Sequence, residues 1–482
     1  GRRCRQLLII TQRSLSHISR IIYILGITHF LEKSLIIRYN PNIIMKRLII
    51  IGGGLAGSEA AYQAAERGVD VSLYEMRPER MTPAHTTGDL AELVCSNSLG
   101  SNDSISAPGI LKEELRQLGS LIIKAADETK VPAGSALAVD RELFAKDITE
   151  RIAGHPRIKL IREEIKNIPD ECPVVIATGP LTSDALVSDI INLTGKNNLF
   201  FYDAISPIID AETINWDKVF KASRYGKGGD DYVNCPMTNE EYNQFYNAIM
   251  SAEKASSHDF EDARYFEGCM PIEVIAERGK DSPRYGPMKP VGLIDPKTKR
   301  EPYANVQLRL ENRFGSAYNI VGFQTKLKYG EQARVFRMIP GLENAEFLRY
   351  GSLHRNTFIN APLFLKETLQ FKKRDELFFA GQITGVEGYM ESTAMGLVAG
   401  INAAKLIKGE ELNPLPTESA IGSLINYITT CEPDRFQPMN INLGIMPPLE
   451  KRIRNKDEKK RLVAERAIKA ISMWKGEYAE VH

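Results

Sequence analysis

The chain has 482 residues, of which 43% are hydrophobic and 26% charged, and its formal net charge is +1. This composition is typical of a globular protein with two or three domains, and it excludes a disordered chain or a fibre. Six cysteines occur without a CxxC pair or regular spacing, which argues against a disulfide framework, a zinc site and a thioredoxin-like redox motif.

The first 44 residues differ in composition from the rest of the chain. They hold seven basic side chains against one acidic side chain, a balance of +6, which leaves −5 for residues 45–482. A basic, acid-poor leader is typical of an organellar transit peptide, and the run IIYILGI is typical of a signal core. We favour a third interpretation, in which residues 1–44 are translated upstream sequence and Met45 is the natural start. No apolar run reaches the roughly 18 to 20 residues of a membrane span. The scattered cysteines favour a reducing compartment, and we expect a cytoplasmic protein.

Residues 47–75 show the pattern of a buried strand, a glycine turn, an alanine-rich helix and a second strand. The glycines fit G-x-G-x-x-G, in which the first allows a tight turn, the second lets the backbone approach a pyrophosphate and the third allows close helix packing. An acidic residue at the end of the second strand is placed to accept a hydrogen bond from a ribose hydroxyl. The expected cofactor-binding residues here are Gly52, Gly53, Gly54, Leu55, Ala56, Gly57 and Glu75.

The stretch AELVCSNSLGS, residues 91–101, sets Cys95 among serines, an asparagine and a glycine. A structural thiol usually lies in an apolar core, whereas a reactive thiol needs access and polar or electropositive surroundings. The local sequence leaves both interpretations open.

Two later segments return to the cofactor fold. CPVVIATGP, residues 172–180, predicts a third strand that runs into a glycine turn, with Cys172 in the core. ELFFAGQITGVEGYMESTAMGLVAGINAAKLI, residues 376–407, predicts a strand before Gly381, a turn through Gly385 and Gly388, and a helix of small residues. A cofactor fold completed late in the chain favours FAD, so we expect a discontinuous FAD-binding domain at 45–200 and 353–410.

The segment between these parts, residues 201–352, predicts an inserted mixed α/β domain that meets the substrate. Loops rich in Gly, Pro, Lys and Arg alternate with strand patterns such as ANVQLRL and YNIVGF. Two cysteines lie in loop-like settings here, Cys269 in RYFEGCMPIEVIAERG and Cys235 in YVNCPMT. Local sequence alone does not show which of the two is the stronger candidate for a reactive thiol.

Residues 411–482 predict a helical C-terminal segment. Within it, residues 451–475 predict one helix with nine basic side chains against three acidic ones through Lys469. Such a helix face is usually solvated, but concentrated positive charge also suits RNA phosphates.

Four motifs together, IGGGLAGSEAA, ELVCSNSLGS, YFEGCMPIEVIAERG and GQITGVEGYMESTAMGLVAG, resemble the folate- and FAD-dependent tRNA uracil-5-methyltransferase family. The resemblance extends over residues 45–475, and the two cysteine motifs are its specific part. One departure is Gly100, where the family pattern has a larger, often basic residue.

The resemblance implies a Rossmann-like FAD-binding domain of the glutathione-reductase type and methylation of the T-loop uridine of tRNA at position 54. It implies 5,10-methylenetetrahydrofolate as the one-carbon donor and NAD(P)H as the reductant. Cys269 would add to C6 of uracil and Cys95 would assist near the flavin, although the two roles can be exchanged. The active site would then lie between the two domains.

Other interpretations stay open at this stage. A flavin-dependent enzyme that modifies the wobble uridine shares the cofactor motifs, but it is longer and lacks FEGCMPIE. A non-catalytic RNA-binding flavoprotein is another, whereas a disulfide reductase would need a CxxC pair. His354, in GSLHRNTFINAP, is a candidate contact to folate or flavin, although histidines more often have structural roles.

Overall fold

The computed structural model describes residues 47–170, 172–195, 198–204, 206–255, 270–451 and 453–479, with the backbone alone for 198–204, 353–355 and 477–479. The leader and Cys269 therefore lie outside the described residues. The strands are β1 Arg47–Ile51, β2 Asp70–Glu75, β3 Ser98–Ser101, β4 Lys130–Val131, β5 Ala136–Val139, β6 Ile158–Arg162, β7 Val174–Ile176, β8 Asn198–Ala204, β9 Ile208–Asp210, β10 Phe220–Lys221, β11 Tyr232–Met237, β12 Ala304–Leu310, β13 Ala317–Ile320, β14 Phe347–Arg349, β15 Leu353–Ile359, β16 Gln370–Phe371 and β17 Arg374–Phe379. The α-helices are α1 Leu55–Glu66, α2 Ala107–Gln117, α3 Leu121–Glu128, α4 Arg141–Ala153, α5 Asp184–Thr194, α6 Asn239–Ser251, α7 Ile272–Glu277, α8 Ser282–Tyr285, α9 Tyr329–Phe336, α10 Ala361–Phe364, α11 Tyr389–Lys408, α12 Ala420–Thr430 and α13 Lys456–Ala479.

A six-stranded sheet in the order β16-β17-β7-β1-β2-β6 forms the centre of the first layer. All of its pairs are parallel except β16 with β17. Strand β7 pairs with β1 and strand β17 pairs with β7, as the sequence predicts for the third strand and the late return to the fold. The central strands are buried on both faces because helices cover the sheet.

A second six-stranded sheet, β10-β11-β12-β13-β9-β14, is antiparallel throughout and has its own hydrophobic core. An antiparallel ladder of β8 with β15 lies at the two crossings between this part and the first. The expected domain boundaries fall at this ladder, and they stay a prediction.

Two details of the chain differ from, or extend, the sequence-based expectation. The C-terminal helix begins at Lys456 rather than at residue 451. Asn455 caps it, because its side-chain oxygen accepts hydrogen bonds from the backbone N–H groups of Asp457 and Glu458. Gly100 has φ +78°, a left-handed conformation that a side chain at this position would strain.

Candidate active site

The glycine turn between β1 and α1 is closely packed on one side and open on the other. Gly52 has φ +101°, and a Cβ there would lie 2.6 Å from the carbonyl oxygen of Ala177. A Cβ on Gly57 would lie 1.7 Å from the carbonyl oxygen of Gly52, whereas one on Gly54 meets nothing within 4 Å. The first and third glycines therefore serve packing, and the second leaves free space above the turn.

That free space belongs to a cleft of about 990 Å³, open to solvent, at the N-terminus of α1. Gly54 is the N-cap residue and supplies no side-chain hydrogen bond to the first turn of the helix. The backbone N–H groups of this turn and the helix dipole favour an anionic group. An uncapped helix end beside a turn without side chains fits the pyrophosphate of a dinucleotide such as FAD.

Glu75, at the end of β2, lines the same cleft. Its Oε2 accepts a hydrogen bond from Gly53 N at 2.8 Å, and its Oε1 accepts one from Arg77 Nε at 3.0 Å. Burial alone would raise the pKa of Glu75, but Arg77 outweighs it and holds the pKa below its ordinary value. The ionised carboxylate keeps further lone pairs that can accept a ribose hydroxyl.

A loop after β2 forms another wall of the cleft. Glu92 accepts hydrogen bonds from the backbone of Thr86 and Thr87 and from Arg77 Nη1. His85 lines the cleft with its Nδ1 2.6 Å from Thr82 Oγ1. Burial and the positive charge of Arg77 lower the pKa of His85 to about 4, so this ring is neutral at physiological pH.

The late glycine motif also reaches the cleft. Gly381 lines the cleft, with φ +80° and a virtual Cβ 2.8 Å from Ala56 Cβ. Gly385 has φ +83° but packs against Phe436, outside the set of cleft-lining residues. Helix α11 follows, and its Gly396 lets it approach the backbone of α1, because a Cβ there would lie 2.2 Å from the carbonyl oxygen of Ala56.

Among the expected cofactor residues, six line the cleft: Gly52, Gly54, Leu55, Ala56, Glu75 and Gly381. Gly53 adjoins it through its bond to Glu75, and Gly57 holds the turn against α1. Their contact with a cofactor stays a prediction.

The cysteine loop is attached to the first residue of α11. The hydroxyl oxygen of Tyr389 accepts hydrogen bonds from the backbone N–H groups of Cys95, at 2.9 Å, and Ser96, at 3.2 Å. Tyr389 also lines the cleft, and the Cys95 side chain is half-buried. Burial raises the pKa of Tyr389, so the hydroxyl keeps its proton. The loop that carries Cys95 is thus attached to the lining of the cleft, to which Val94 also contributes.

Arg309, in β12 of the second sheet, fixes the next two residues of the loop. Its Nε donates to Asn97 Oδ1 at 2.8 Å and its Nη2 donates to Ser96 Oγ at 2.6 Å. Asn97 Nδ2 in turn donates to the carbonyl oxygens of Val139 and Leu310. The second sheet therefore contributes directly to the shape of the Cys95 loop.

Two further arginines add positive charge here. Arg141 is paired with Glu311 and donates to the carbonyl oxygen of Leu93. Arg349 donates to the carbonyl oxygen of Ala84 at 2.8 Å. Cys95 interacts electrostatically with Arg141, Arg309 and Arg349. Such surroundings stabilise negative charge on a substrate oxygen.

The residues that flank the Cys269 segment are attached to one stretch of the second domain. Ala255 N donates to the carbonyl oxygen of Lys326, and Ile272 N donates to that of Gln324. Glu273, buried, accepts from Thr325 Oγ1 at 3.0 Å and from Lys326 N at 2.6 Å. The role expected for Cys269 stays a prediction.

The remaining described cysteines have different surroundings. Cys235 is fully buried in β11, and burial raises the pKa of its thiol well above the ordinary value. Its loop-like sequence setting was misleading, because β11 pairs with β12 along its whole length. Cys172 is half-buried, so the expectation of a core position is wrong; it precedes β7 instead of lying within it. Cys431, at the C-cap of α12, is also half-buried.

Two basic side chains of the C-terminal helix are paired with acidic side chains on the same helix. Arg461 is paired with Glu465 at 2.6 Å, and Lys460 with Asp457 at 3.6 Å. Lys475 donates to the carbonyl oxygen of Gln117, at the end of α2. RNA binding by this helix stays a prediction.

Sequence reasoning missed Tyr389 and the three arginines as site residues. Tyr389 follows Gly388 directly, so a polar aromatic residue at the start of the second cofactor helix is a usable signal. The arginines lie in a helix and in strands, and only tertiary structure brings them to Cys95. For His354 the structure gives the backbone alone, in β15 opposite Asp203.

Comparison with known proteins identifies the family. A family model described as glucose inhibited division protein A matches residues 47–411. A methylenetetrahydrofolate–tRNA-(uracil-5-)-methyltransferase, TrmFO, of Pelotomaculum thermopropionicum is 60% identical over 430 residues, which cover 89% of this chain and 98% of the relative. TrmFO of Aquifex aeolicus is 57% identical over 429 residues, 89% of this chain and 96% of the relative. The chain belongs to this methyltransferase family. The resemblance seen in its sequence motifs is confirmed, and the chain is an enzyme.

Two solved structures test the fold. The Aquifex aeolicus GidA structure in crystal form II matches with a TM-score of 0.64 at 19% identity and covers 89% of this chain and 73% of GidA. Crystal form I gives 0.62 at 19% identity, with 90% and 79% covered. The expected fold class, an α/β Rossmann-like FAD-binding fold, is confirmed. Within the part of the chain that the structure describes, there is no helix long and apolar enough to cross a membrane and no cluster of metal-ligating side chains.

Proposed function

We propose that this protein methylates C5 of the T-loop uridine at position 54 of tRNA in the cytoplasm. The one-carbon unit comes from 5,10-methylenetetrahydrofolate, FAD occupies the cleft and NAD(P)H is the reductant. The supporting observation is that the Cys95 loop is attached to Tyr389, which lines a dinucleotide-type cleft. The names of relatives that share up to 60% of their residues with this chain support the same reaction.

The chemistry explains why thiols are needed. C5 of uracil is a weak nucleophile, and addition of a thiolate to C6 moves the C5–C6 electron pair toward C5 and the O4 oxygen. C5 then forms a bond to the methylene carbon, which gives up its bond to the nitrogen that carried it. The C5 proton leaves to a base, and the sulfur–C6 bond breaks with return of the thiolate and of the C5–C6 double bond. Bound reduced flavin would supply the transfer of the methylene and the hydride that completes the methyl group.

Some residues of the protein react with the substrate, and others position the reacting groups. We assign C6 addition to Cys269 and proton transfer beside the cofactor to Cys95. Tyr389 and Arg309 hold the Cys95 loop, while Arg141 and Arg349 add positive charge that stabilises the enolate oxygen of uracil. Glu75 and the first turn of α1 orient the cofactor.

Substitution of single cysteines tests the proposal. Cys95→Ala and Cys269→Ala should each abolish transfer of the labelled one-carbon unit to an unmodified tRNA transcript, with flavin absorbance retained. Cys431→Ala, at another half-buried position, is the matched control and should methylate normally. Digestion and mapping of the product distinguish the T-loop from the wobble position, and parallel assays with NADH and NADPH identify the reductant. A wild-type enzyme that leaves C5 of tRNA uracil unmethylated in the presence of folate contradicts the proposal.

A further inference from the structure

Three aromatic rings form a column on the second domain. Tyr350 lies between Phe347 and Tyr329, with ring centroids 5.0 Å from each and interplanar angles of 16° and 21°. We call this set, Phe347, Tyr350 and Tyr329, the aromatic column. Stacked rings with nearly parallel planes present a flat face at each end of the set.

The column is fixed at one end and exposed at the other. Phe347 lies in β14 and packs against the hydrophobic core of the second sheet. Tyr329 begins α9 and is 60% exposed although one of its faces is covered by Tyr350. The outer ring is therefore held in place by its neighbours while most of its surface is in water. A pre-oriented aromatic ring loses little conformational freedom when a ligand stacks on it.

The charge around the column favours an anionic partner. Residues 326–350 hold five basic side chains against three acidic ones, a balance of +2, in a body whose balance is −5. Lys328 and Arg334 are paired with acidic neighbours on this surface, and both remain exposed. A phosphate group can replace the carboxylate as the partner of either cation at little cost in free energy, because exposed ion pairs are weak.

The column is also continuous with the candidate active site. Arg349 is next to Tyr350 in sequence. It donates to the carbonyl oxygen of Ala84, the residue before the cleft-lining His85, and interacts electrostatically with Cys95. A polymer whose reacting base lies near Cys95 can therefore place other nucleotides at the column. Tyr285, also exposed, is not part of the column.

We propose that the outer face of Tyr329 stacks against an unpaired base of the tRNA substrate, with Tyr350 and Phe347 as its support. This inference rests on the proposed function and adds a site of substrate recognition to it. The partner is an unpaired nucleotide because a paired base within a helix has no free face to offer. Stacking makes the contact tolerant of base identity.

Direct binding measurements test this assignment. Tyr329→Ala should raise the Kd for an unmodified tRNA transcript by about 5- to 150-fold, the range for loss of one base–aromatic stack. Tyr329→Phe should bind like the wild type, because the ring is kept. The salt dependence of binding should be unchanged in Tyr329→Ala and shallower in Lys328→Ala, since only the second removes a cation. Tyr285→Ala is the matched control, an exposed tyrosine on the same domain that should keep wild-type affinity.

A second measurement reports contact instead of affinity. In Tyr329→Trp, addition of tRNA should quench the new tryptophan emission above the change seen with Trp216 and Trp474 of the wild type. Unchanged affinity in Tyr329→Ala, equal losses in Tyr329→Ala and Tyr285→Ala, or absence of quenching in a variant that binds tRNA overturns the assignment. Failure of the wild type to methylate tRNA contradicts the proposed function instead, so the two failures are distinct.

Discussion

Removal of the Tyr389 hydroxyl tests how the Cys95 loop is held. The Tyr389→Phe variant keeps the ring and its packing but removes the oxygen that accepts the N–H groups of Cys95 and Ser96, at 2.9 and 3.2 Å. Both donors lie in a partly buried loop, so water replaces the lost acceptor incompletely. The loop should move away from the geometry in which its thiol assists the reaction.

The size of the effect follows from these two bonds. A buried donor left without a partner costs about 1–3 kcal/mol, and partial access of water to this loop keeps the combined cost of both donors within that range. If the cost falls on the transition state, kcat/KM decreases by about 5- to 150-fold. Flavin content and the melting temperature should change little, because the phenyl ring still lines the cleft.

The assay compares single-turnover methylation rates of flavin-loaded wild type, Tyr389→Phe and Tyr427→Phe. Tyr427 is the matched control, since its hydroxyl donates an exposed hydrogen bond to the carbonyl oxygen of Gln437 at 3.0 Å and does not contact the Cys95 loop through that bond. A wild-type rate in Tyr389→Phe refutes the positioning role. An equal decrease in flavin content and in rate assigns the residue to cofactor binding.

Three other perturbations have expected outcomes. Gly57→Ala should prevent flavin retention and destabilise the fold, because the new Cβ would overlap the carbonyl oxygen of Gly52. Gly54→Ala should fold normally and weaken only flavin binding, because a Cβ there meets nothing within 4 Å. Flavin absorbance and thermal melting of both variants check this. The pKa of His85 is about 4 in the folded protein and about 6.5 when unfolded, so wild-type stability should decrease as pH falls from about 6.5 to 4, and His85→Gln should flatten this part of the curve measured by urea unfolding. Charge reversal at Lys459 and Lys460 should weaken tRNA binding and make its salt dependence shallower if the C-terminal helix contacts phosphates. An unchanged salt dependence would mean that the charged face of this helix is only solvated.

The cofactor half of the protein was largely predictable from sequence. The βαβ unit at 47–75 and the strands at 174–176 and 374–379 are short apolar runs next to glycine turns, and local sterics determine both. Gly52 and Gly57 are required because a Cβ at Gly52 would lie 2.6 Å from the carbonyl oxygen of Ala177 and one at Gly57 would lie 1.7 Å from that of Gly52. Their spacing alone therefore indicates the turn. The family motifs likewise lie in continuous stretches.

Other features depend on contacts between residues distant in the chain. Cys235 looks like a loop thiol in sequence, and it is buried because β12, about 70 residues later, pairs with its strand. Arg309 follows Ser96 by 213 positions, and Tyr389 follows Cys95 by 294. No local pattern encodes such pairs, because a side chain's hydrogen-bond partners are set by the packing of whole sheets and helices. The sequence by itself determined the fold class, the cofactor turn and the candidate thiols, whereas the tertiary structure decided which charged and hydroxyl groups surround Cys95.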